Sequence, residues 1–305
     1  MRLRPFALIQ PDSVAEAVAA LGRAGSARVI AGGTALVPMM RLGVIRPDPV
    51  IALDRVKGLG DIREQGGALR VGAMVTMADL ERAPLVRAGW ALLAEAAGRV
   101  ATPAIRSSAT LGGNLAYAEA ASDVAPALLC LEAGIEIAGA GGERTVPIGR
   151  FFTGFFETVL APGEIATGIR VPPCPAGAVA GYVKFCSRSA EDKPLVGVAA
   201  LLTLDASGTC VDARIALGGV APTAIRTARA EASLRGQTPS DDALRAAADA
   251  AAADADPISD LMGSAEYRRA MVRVWVRRLL GTLRDGNSQG SSARNKPGRS
   301  FVSRP

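Results

Sequence analysis

Apolar residues along this chain recur at two periods, helical and alternating, and glycine- or proline-rich turns punctuate them. Val14, Val18 and Leu21 fall on one helical face behind Ser13 and Glu16, which have capping-box spacing; Gly22 and Gly25 end the run. Residues 27–30 read as a short buried strand leading into Ala31-Gly32-Gly33-Thr34. Thr34 is placed to cap a helix over 35–42, where Pro38 is tolerable in the first turn, and 50–53 supply another strand. Strand, turn, helix and strand in that order predict a small β-α-β unit.

A second region begins near Lys57-Gly58. Its pattern predicts a strand over 68–72, a helix from Thr76 to about 82, and an alanine-rich helix over 91–100. The turn Thr110-Leu111-Gly112-Gly113-Asn114 follows, then an apolar helix over 124–134. Segments 135–138 and 144–147 flank Gly139-Ala140-Gly141-Gly142, which reads as a hairpin. Pro172-Pro173-Cys174-Pro175 marks a boundary. Beyond it, 181–185, 196–204 and 211–217 read as strands, antiparallel where short polar turns join them. Helical patterns cover 224–234, 240–254 and 264–283; from about 285 the chain has little to bury and is expected to be disordered.

Composition removes more functions than it suggests. With 305 residues, 49% of them hydrophobic, the chain can build two or three domains. The net charge is +6, with much of the excess late, at Arg268, Arg269, Arg273, Arg277 and Arg278, then Arg294, Lys296, Arg299 and Arg304. Only 4% of residues are aromatic and no stacking motif is present, so nucleic acid is not an expected partner. Arg269, Arg273 and Arg277 form an i, i+4, i+8 stripe that reads as a solvated face; docking of an acidic partner is the sharper alternative.

Histidine is absent, which excludes a Ser-His-Asp triad, an H-E-x-x-H zinc site, a histidine base and a histidine-linked flavin. Cys130, Cys174, Cys186 and Cys210 are far apart and match no iron–sulfur or zinc spacing, so no metal site is expected. They suit buried thiols in a reducing compartment. The N-terminus lacks a signal-peptide core and no apolar run is long enough to span a membrane, so the expected location is cytoplasmic.

The two glycine turns carry the chemistry that remains. Adjacent glycines accept φ > 0 and let backbone N–H groups converge on a phosphate without a lysine or arginine. Two such nests suggest a ligand with more than one phosphate, clamped from two sides. The plainer reading is a tight strand-to-helix turn, and spacing alone leaves the two even.

Together these residues resemble the FAD-binding (medium) subunit of molybdenum hydroxylases, the family of carbon monoxide dehydrogenases and relatives of xanthine dehydrogenase. The resemblance covers about residues 3–283. It rests on Ala31-Gly32-Gly33-Thr34, on Ile105-Arg106 followed by Thr110-Leu111-Gly112-Gly113-Asn114, and on Ala121-Ser122-Asp123 with Pro126-Ala127-Leu128. It continues through Tyr182-Val183-Lys184-Phe185, Gly218-Gly219-Val220-Ala221-Pro222-Thr223 and Ser264-Ala265-Glu266-Tyr267-Arg268-Arg269.

The resemblance implies an α+β fold: a PCMH-type FAD-binding domain over 1–175, in subdomains of about 1–57 and 58–175, then a C-terminal domain of antiparallel sheet plus helices over 176–284 and a tail over 285–305. It implies non-covalent FAD with both turns around the pyrophosphate, contacted by Ala31, Gly32, Gly33, Thr34, Ala35, Thr110, Leu111, Gly112, Gly113 and Asn114. Asp123 is implied to contact FAD, although its place before an apolar helix also fits an N-cap. Lys184, by default a solvated lysine, is implied to point toward the isoalloxazine, where its charge would raise the reduction potential. Val100 and Ile165 match positions that pack near the cofactor, Arg106 is structural, and no residue is catalytic.

The molybdenum cofactor and 2Fe–2S clusters are implied only on partners, a molybdenum-cofactor large subunit and a 2Fe–2S small subunit, in the family's common dimer of heterotrimers. Electrons would reach FAD from the 2Fe–2S subunit and leave to an external acceptor. The alternative is a self-sufficient flavin oxidoreductase with its own substrate site; no acid–base pair supports it. The chain departs from the family at Ala104, where a polar residue is common, and at Tyr117 and Glu119, where smaller or more neutral residues are usual. It lacks the cysteine-bearing insertion of the benzoyl-CoA reductase branch, so no additional cluster is expected.

Overall fold

The computed structural model describes residues 3–23 and 25–290, and its strands fall mainly into three sheets that succeed one another along the chain. The first sheet is parallel, with β1 (Leu8–Ile9), β2 (Arg28–Ile30) and β3 (Val50–Ala52) in the order β1-β3-β2. Helix Val14–Arg23 joins β1 to β2. Its start is closed as the sequence predicts: Ser13 Oγ accepts from Glu16 N at 3.2 Å, and the Glu16 carboxylate turns back to Asp12 N at 2.9 Å. Helix Leu36–Leu42 joins β2 to β3, completing the expected β-α-β unit, but Thr34 does not cap it. The N-cap is Ala35, and no side chain closes the helix start.

The second sheet is antiparallel. It contains β4 (Ile62–Gln65), β5 (Ala68–Gly72), β6 (Gly134–Gly139) and β7 (Gly142–Pro147); a small ribbon of β8 (Phe152–Gly154) and β9 (Glu157–Thr158) precedes its central strand, β10 (Ile165–Val171). The order is β4-β5-β10-β6-β7, and β6 with β7 forms the hairpin read around Gly139 and Gly142. The sequence pattern does not reveal β10, because Thr167 and Gly168 interrupt its apolar run where the ladder with β6 shifts register. Helices Met77–Arg82, Ala91–Gly98, Leu111–Tyr117 and Val124–Cys130 bring Leu80, Leu93, Leu111 and Leu128 into one core with Leu69, Val71, Ile135 and Ile169 of this sheet.

The third sheet, β11 (Val179–Phe185), β12 (Val196–Leu204), β13 (Cys210–Gly218) and β14 (Ile225–Arg226), is antiparallel throughout. Strand β12 is apolar on both faces, and alternate residues serve different cores. Val196, Val198, Ala200 and Leu202 pack with helices Asp241–Asp254 and Ala265–Gly290, whereas Ala199 joins the core that contains Cys130. The third sheet also holds the short helix Val124–Cys130 at both ends. Arg214 Nη1 donates to Cys130 O at 3.2 Å and Arg226 Nη1 to Leu129 O at 3.3 Å, while Tyr182 and Lys184 of β11 hold Asp123 at the other end.

The last helix runs to Gly290, beyond the Leu283 end read from the pattern, and residues 291–305 of the expected tail lie outside the described residues. The arginine stripe is not a bare solvated face. Arg273 Nε meets Asp249 Oδ1 at 3.0 Å, and Arg269 reaches Ala255 O at 3.2 Å and Asp256 Oδ1 at 3.5 Å. Arg273 and Arg277 stay exposed, so the stripe is a solvated face on which two arginines have acidic partners.

Candidate functional site

The first glycine turn leaves the carboxyl end of β2 and enters helix Leu36–Leu42, the end of a parallel strand where α/β folds commonly place ligands. Gly33 stands at φ 70°, a left-handed conformation that costs other residues about 1–2 kcal/mol. The backbone N–H groups of Gly32, Gly33, Thr34 and Ala35 meet no acceptor among the described residues. All four residues are half-buried. Consecutive unpaired donors need water or a ligand. The donor set fits the oxygens of a pyrophosphate such as that of FAD.

Gly32 also packs directly on Ser108 and Ala109, which lead into the second turn. A Cβ at Gly32 would stand 1.7 Å from Ser108 O and 3.2 Å from Ala109 Cα. Along the same seam, a Cβ at Gly113 would stand 3.6 Å from Ala31 Cβ. The fold therefore sets the two turns side by side in contact, joining the parallel sheet's unit to the rest of the first half.

The second turn corrects the expectation of a second open nest, because its donors are already paired. Leu111 N donates to Val75 O at 2.9 Å, Gly112 N to Ala73 O at 2.9 Å, Gly113 N to Thr110 Oγ1 at 3.1 Å and Asn114 N to Thr110 O at 2.9 Å. Thr110 is the N-cap of helix Leu111–Tyr117, and the Leu111 side chain is fully buried. Gly112 serves close approach, since a Cβ there would stand 2.5 Å from Ala73 Cβ. What this turn still offers is Asn114. Its Oδ1 accepts from Ser122 Oγ at 2.7 Å, and its amide nitrogen has no acceptor among the described residues.

Asp123 does not act as a side-chain N-cap of helix Val124–Cys130; Ser122 Oγ accepts from Ala125 N at 3.3 Å instead. The Asp123 carboxylate turns to β11, where Oδ1 accepts from Tyr182 OH at 2.8 Å and Oδ2 from Lys184 Nζ at 3.1 Å. Lys184 Nζ also donates to Arg99 O at 2.8 Å. The default of a solvated Lys184 is thereby corrected: its side chain is 4% exposed, against 6% for Asp123. The bare lysine charge expected beside the isoalloxazine has a partner. Burial pushes the Asp123 carboxyl up to about 6, against the opposing pull of Lys184 and Tyr182.

The remaining site expectations separate in space. Val100 lies in the large core and Ile165 in the smaller one with Ile51, Leu53 and Leu59, so the structure does not bring them into one apolar cluster. Arg106 is structural as read, donating to Glu81 Oε2 at 3.1 Å and to the carbonyls of Val100 and Ala101 at 3.1 and 3.0 Å. Of the unusual residues, Tyr117 packs on Phe156 with ring centroids 5.1 Å apart, and Glu119 pairs with Lys193. The sequence reading missed a role for Tyr182. The available signal was its i, i+2 placement with Lys184 on a strand, which puts both on one face.

A family model described as "FAD binding domain in molybdopterin dehydrogenase" matches residues 4–174, and one described as "CO dehydrogenase flavoprotein C-terminal domain" matches 181–283. The chain is 40% identical over 271 residues to the carbon monoxide dehydrogenase medium chain of Hydrogenophaga pseudoflava, covering 88% of this chain and 94% of that one. It is 36% identical over 281 residues to the 6-hydroxypseudooxynicotine dehydrogenase complex subunit alpha of Paenarthrobacter nicotinovorans, covering 92% and 95%. Among solved structures, a chain of the Hydrogenophaga pseudoflava carbon monoxide dehydrogenase superposes with a TM-score of 0.90 at 39% identity, covering 93% of this chain and 98% of that one. A chain of quinoline 2-oxidoreductase from Pseudomonas putida 86 gives 0.89 at 32% identity, covering 94% and 99%. No helix among the described residues is long and apolar enough to cross a membrane.

Proposed function

The chain belongs to the FAD-binding medium subunits of molybdenum hydroxylases, a flavoprotein oxidoreductase family, and on that premise we propose that it is an electron relay between partner subunits and an external acceptor. The observation that carries the site assignment is the run of acceptor-free N–H groups from Gly32 to Ala35, the donor set a pyrophosphate requires. When bound, FAD supplies the redox chemistry: it takes up electrons and gives them on. The chain's own residues bind and orient it. Gly32, Gly33, Thr34 and Ala35 hold phosphate oxygens, Asn114 adds its free amide nitrogen, and the Asp123–Lys184 pair lies toward the isoalloxazine end.

On this reading electrons come from a 2Fe–2S small subunit, which receives them from a molybdenum-cofactor large subunit, in a dimer of heterotrimers in the cytoplasm. The division into a FAD-binding domain over 1–175 and a C-terminal domain over 176–284 belongs to the same proposal; the two family matches, 4–174 and 181–283, support it. The chain has no histidine, which leaves little for a substrate site of its own.

Purified alone, the chain is expected to hold close to one FAD. An oxidisable substrate of the complex is expected to bleach that flavin only when the partner subunits are present, as followed by stopped-flow absorbance. Bleaching of the lone chain by such a substrate would favour a self-sufficient oxidoreductase.

A further inference from the structure

Tyr182 and Lys184 stand two residues apart on β11 and grip the two oxygens of one carboxylate, that of Asp123. The paired strand makes room for this arrangement. Residue 197 on β12, the register partner of Lys184, is glycine, and a Cβ there would stand 2.7 Å from the Tyr182 hydroxyl. Tyr182 is itself 2% exposed, so its hydroxyl needs the partner it has.

We propose that Tyr182 is a positioning residue of the flavin site: it orients Asp123 so that the carboxylate compensates the Lys184 charge, and it thereby sets the net charge presented to the cofactor. This rests on the reading above, in which the pair lies toward the isoalloxazine. Asp123 heads the helix that the C-terminal domain grips, and Asn114 bonds the neighbouring Ser122. The pair is therefore fixed to the second glycine turn as well as to β11.

The other charged or titratable groups around Asp123 are Arg99, whose charge favours the carboxylate, the Cys186 thiol beyond Lys184, and Glu95, which accepts from Tyr182 N at 3.2 Å. Burial and the adjacent carboxylate hold the Tyr182 hydroxyl well above its ordinary value, so it remains a donor through neutral pH. Without that donor, Asp123 loses a hydrogen bond to its charged form. Its loss raises the carboxyl by roughly one to two pH units.

The test is the midpoint potential of bound FAD as a function of pH, measured by spectroelectrochemistry on the full chain. The parent chain is expected to show an inflection from the pair near pH 6, where the carboxyl titrates. Tyr182→Phe is expected to move it up by about one to two pH units, and Asp123→Asn to remove it, leaving only the flavin's own titration. Should Tyr182→Phe release FAD, the pH dependence of the apo chain's Tm is expected to show the same upward displacement. Inflections at the same pH in parent and Tyr182→Phe would overturn the proposal, as would identical Tm profiles. A parent chain that binds no FAD would instead overturn the flavin reading itself, so the two failures are told apart.

Discussion

A Gly32→Ala variant is expected to lose flavin and stability together, more severely than alanine at any other glycine of the two turns. The Cβ would be placed 1.7 Å from Ser108 O, a backbone atom that no rotamer change can move away. Relief requires the two turns to separate, and forced overpacking of this kind costs about 1–3 kcal/mol or somewhat more. Separation also displaces the N–H groups that follow Gly32. Gly33→Ala meets a milder obstacle: Val37 Cγ2 lies 3.3 Å from the new methyl, and the φ of 70° adds about 1–2 kcal/mol of strain. Gly113→Ala presses at 2.8 Å on Thr110 Oγ1, the cap of helix Leu111–Tyr117. The checks are flavin occupancy from absorbance and Tm from a thermal melt. Gly32→Ala with normal occupancy and Tm would show that the contact between the turns is not needed.

The second large effect concerns the buried pair, and its two halves are expected to behave differently with pH. Asp123→Ala leaves the Lys184 ammonium in a site where its side chain is 4% exposed, with Arg99 O as its remaining partner. Removing one member of a buried pair costs about 3–5 kcal/mol at neutral pH, where the parent carboxyl is ionised. With no carboxyl left at this site, the variant's own stability is expected to gain no pH dependence from it. Lys184→Ala strands a carboxylate instead, and a carboxylate can escape by taking a proton. Its folded value, about 6 even with the lysine present, lies above the ordinary 3.8. The folded state therefore binds the proton more tightly than the unfolded state. The stability this supplies is complete below the unfolded value and is lost as pH rises through the folded one. Lys184→Ala is accordingly expected to be nearly tolerated in acid and strongly destabilised above neutrality. Denaturant melts of both variants at acidic and neutral pH check the contrast, and parallel pH profiles would contradict it.

Local signals were legible in the sequence where one residue type decides the geometry. Ser13 with Glu16 and Thr76 start helices where the pattern places them, and the glycines at 139–142 make the hairpin. Strand β10 was not legible, because its bulge and Gly168 break the alternation on which strand reading depends. The site was half legible. Adjacent glycines identify both turns, but whether a turn's N–H groups are open depends on what lies opposite, and that is a tertiary fact. In the first turn, no acceptor among the described residues faces the N–H groups of residues 32–35. In the second, the carbonyls of Ala73, Val75 and Thr110 and the Thr110 hydroxyl take every backbone donor from Leu111 to Asn114.

The same limit explains Lys184. On a strand with mixed neighbours a lysine reads as solvated, and only the fold brings Asp123, distant in sequence, to neutralise it. The glycine at 197 carries no meaning in one dimension; paired with β11 it becomes the space for the Tyr182 hydroxyl.

The assignment of the first turn to a pyrophosphate is tested most directly by a binding titration of the apo chain with FAD, FMN and ADP. The open donors of Gly32, Gly33, Thr34 and Ala35 should grip a pyrophosphate, which FAD and ADP share and FMN lacks. The expected result is tight binding of FAD, competition by ADP, and failure of FMN to compete at comparable concentration. Binding of FMN as tight as that of FAD, with no competition from ADP, would contradict it.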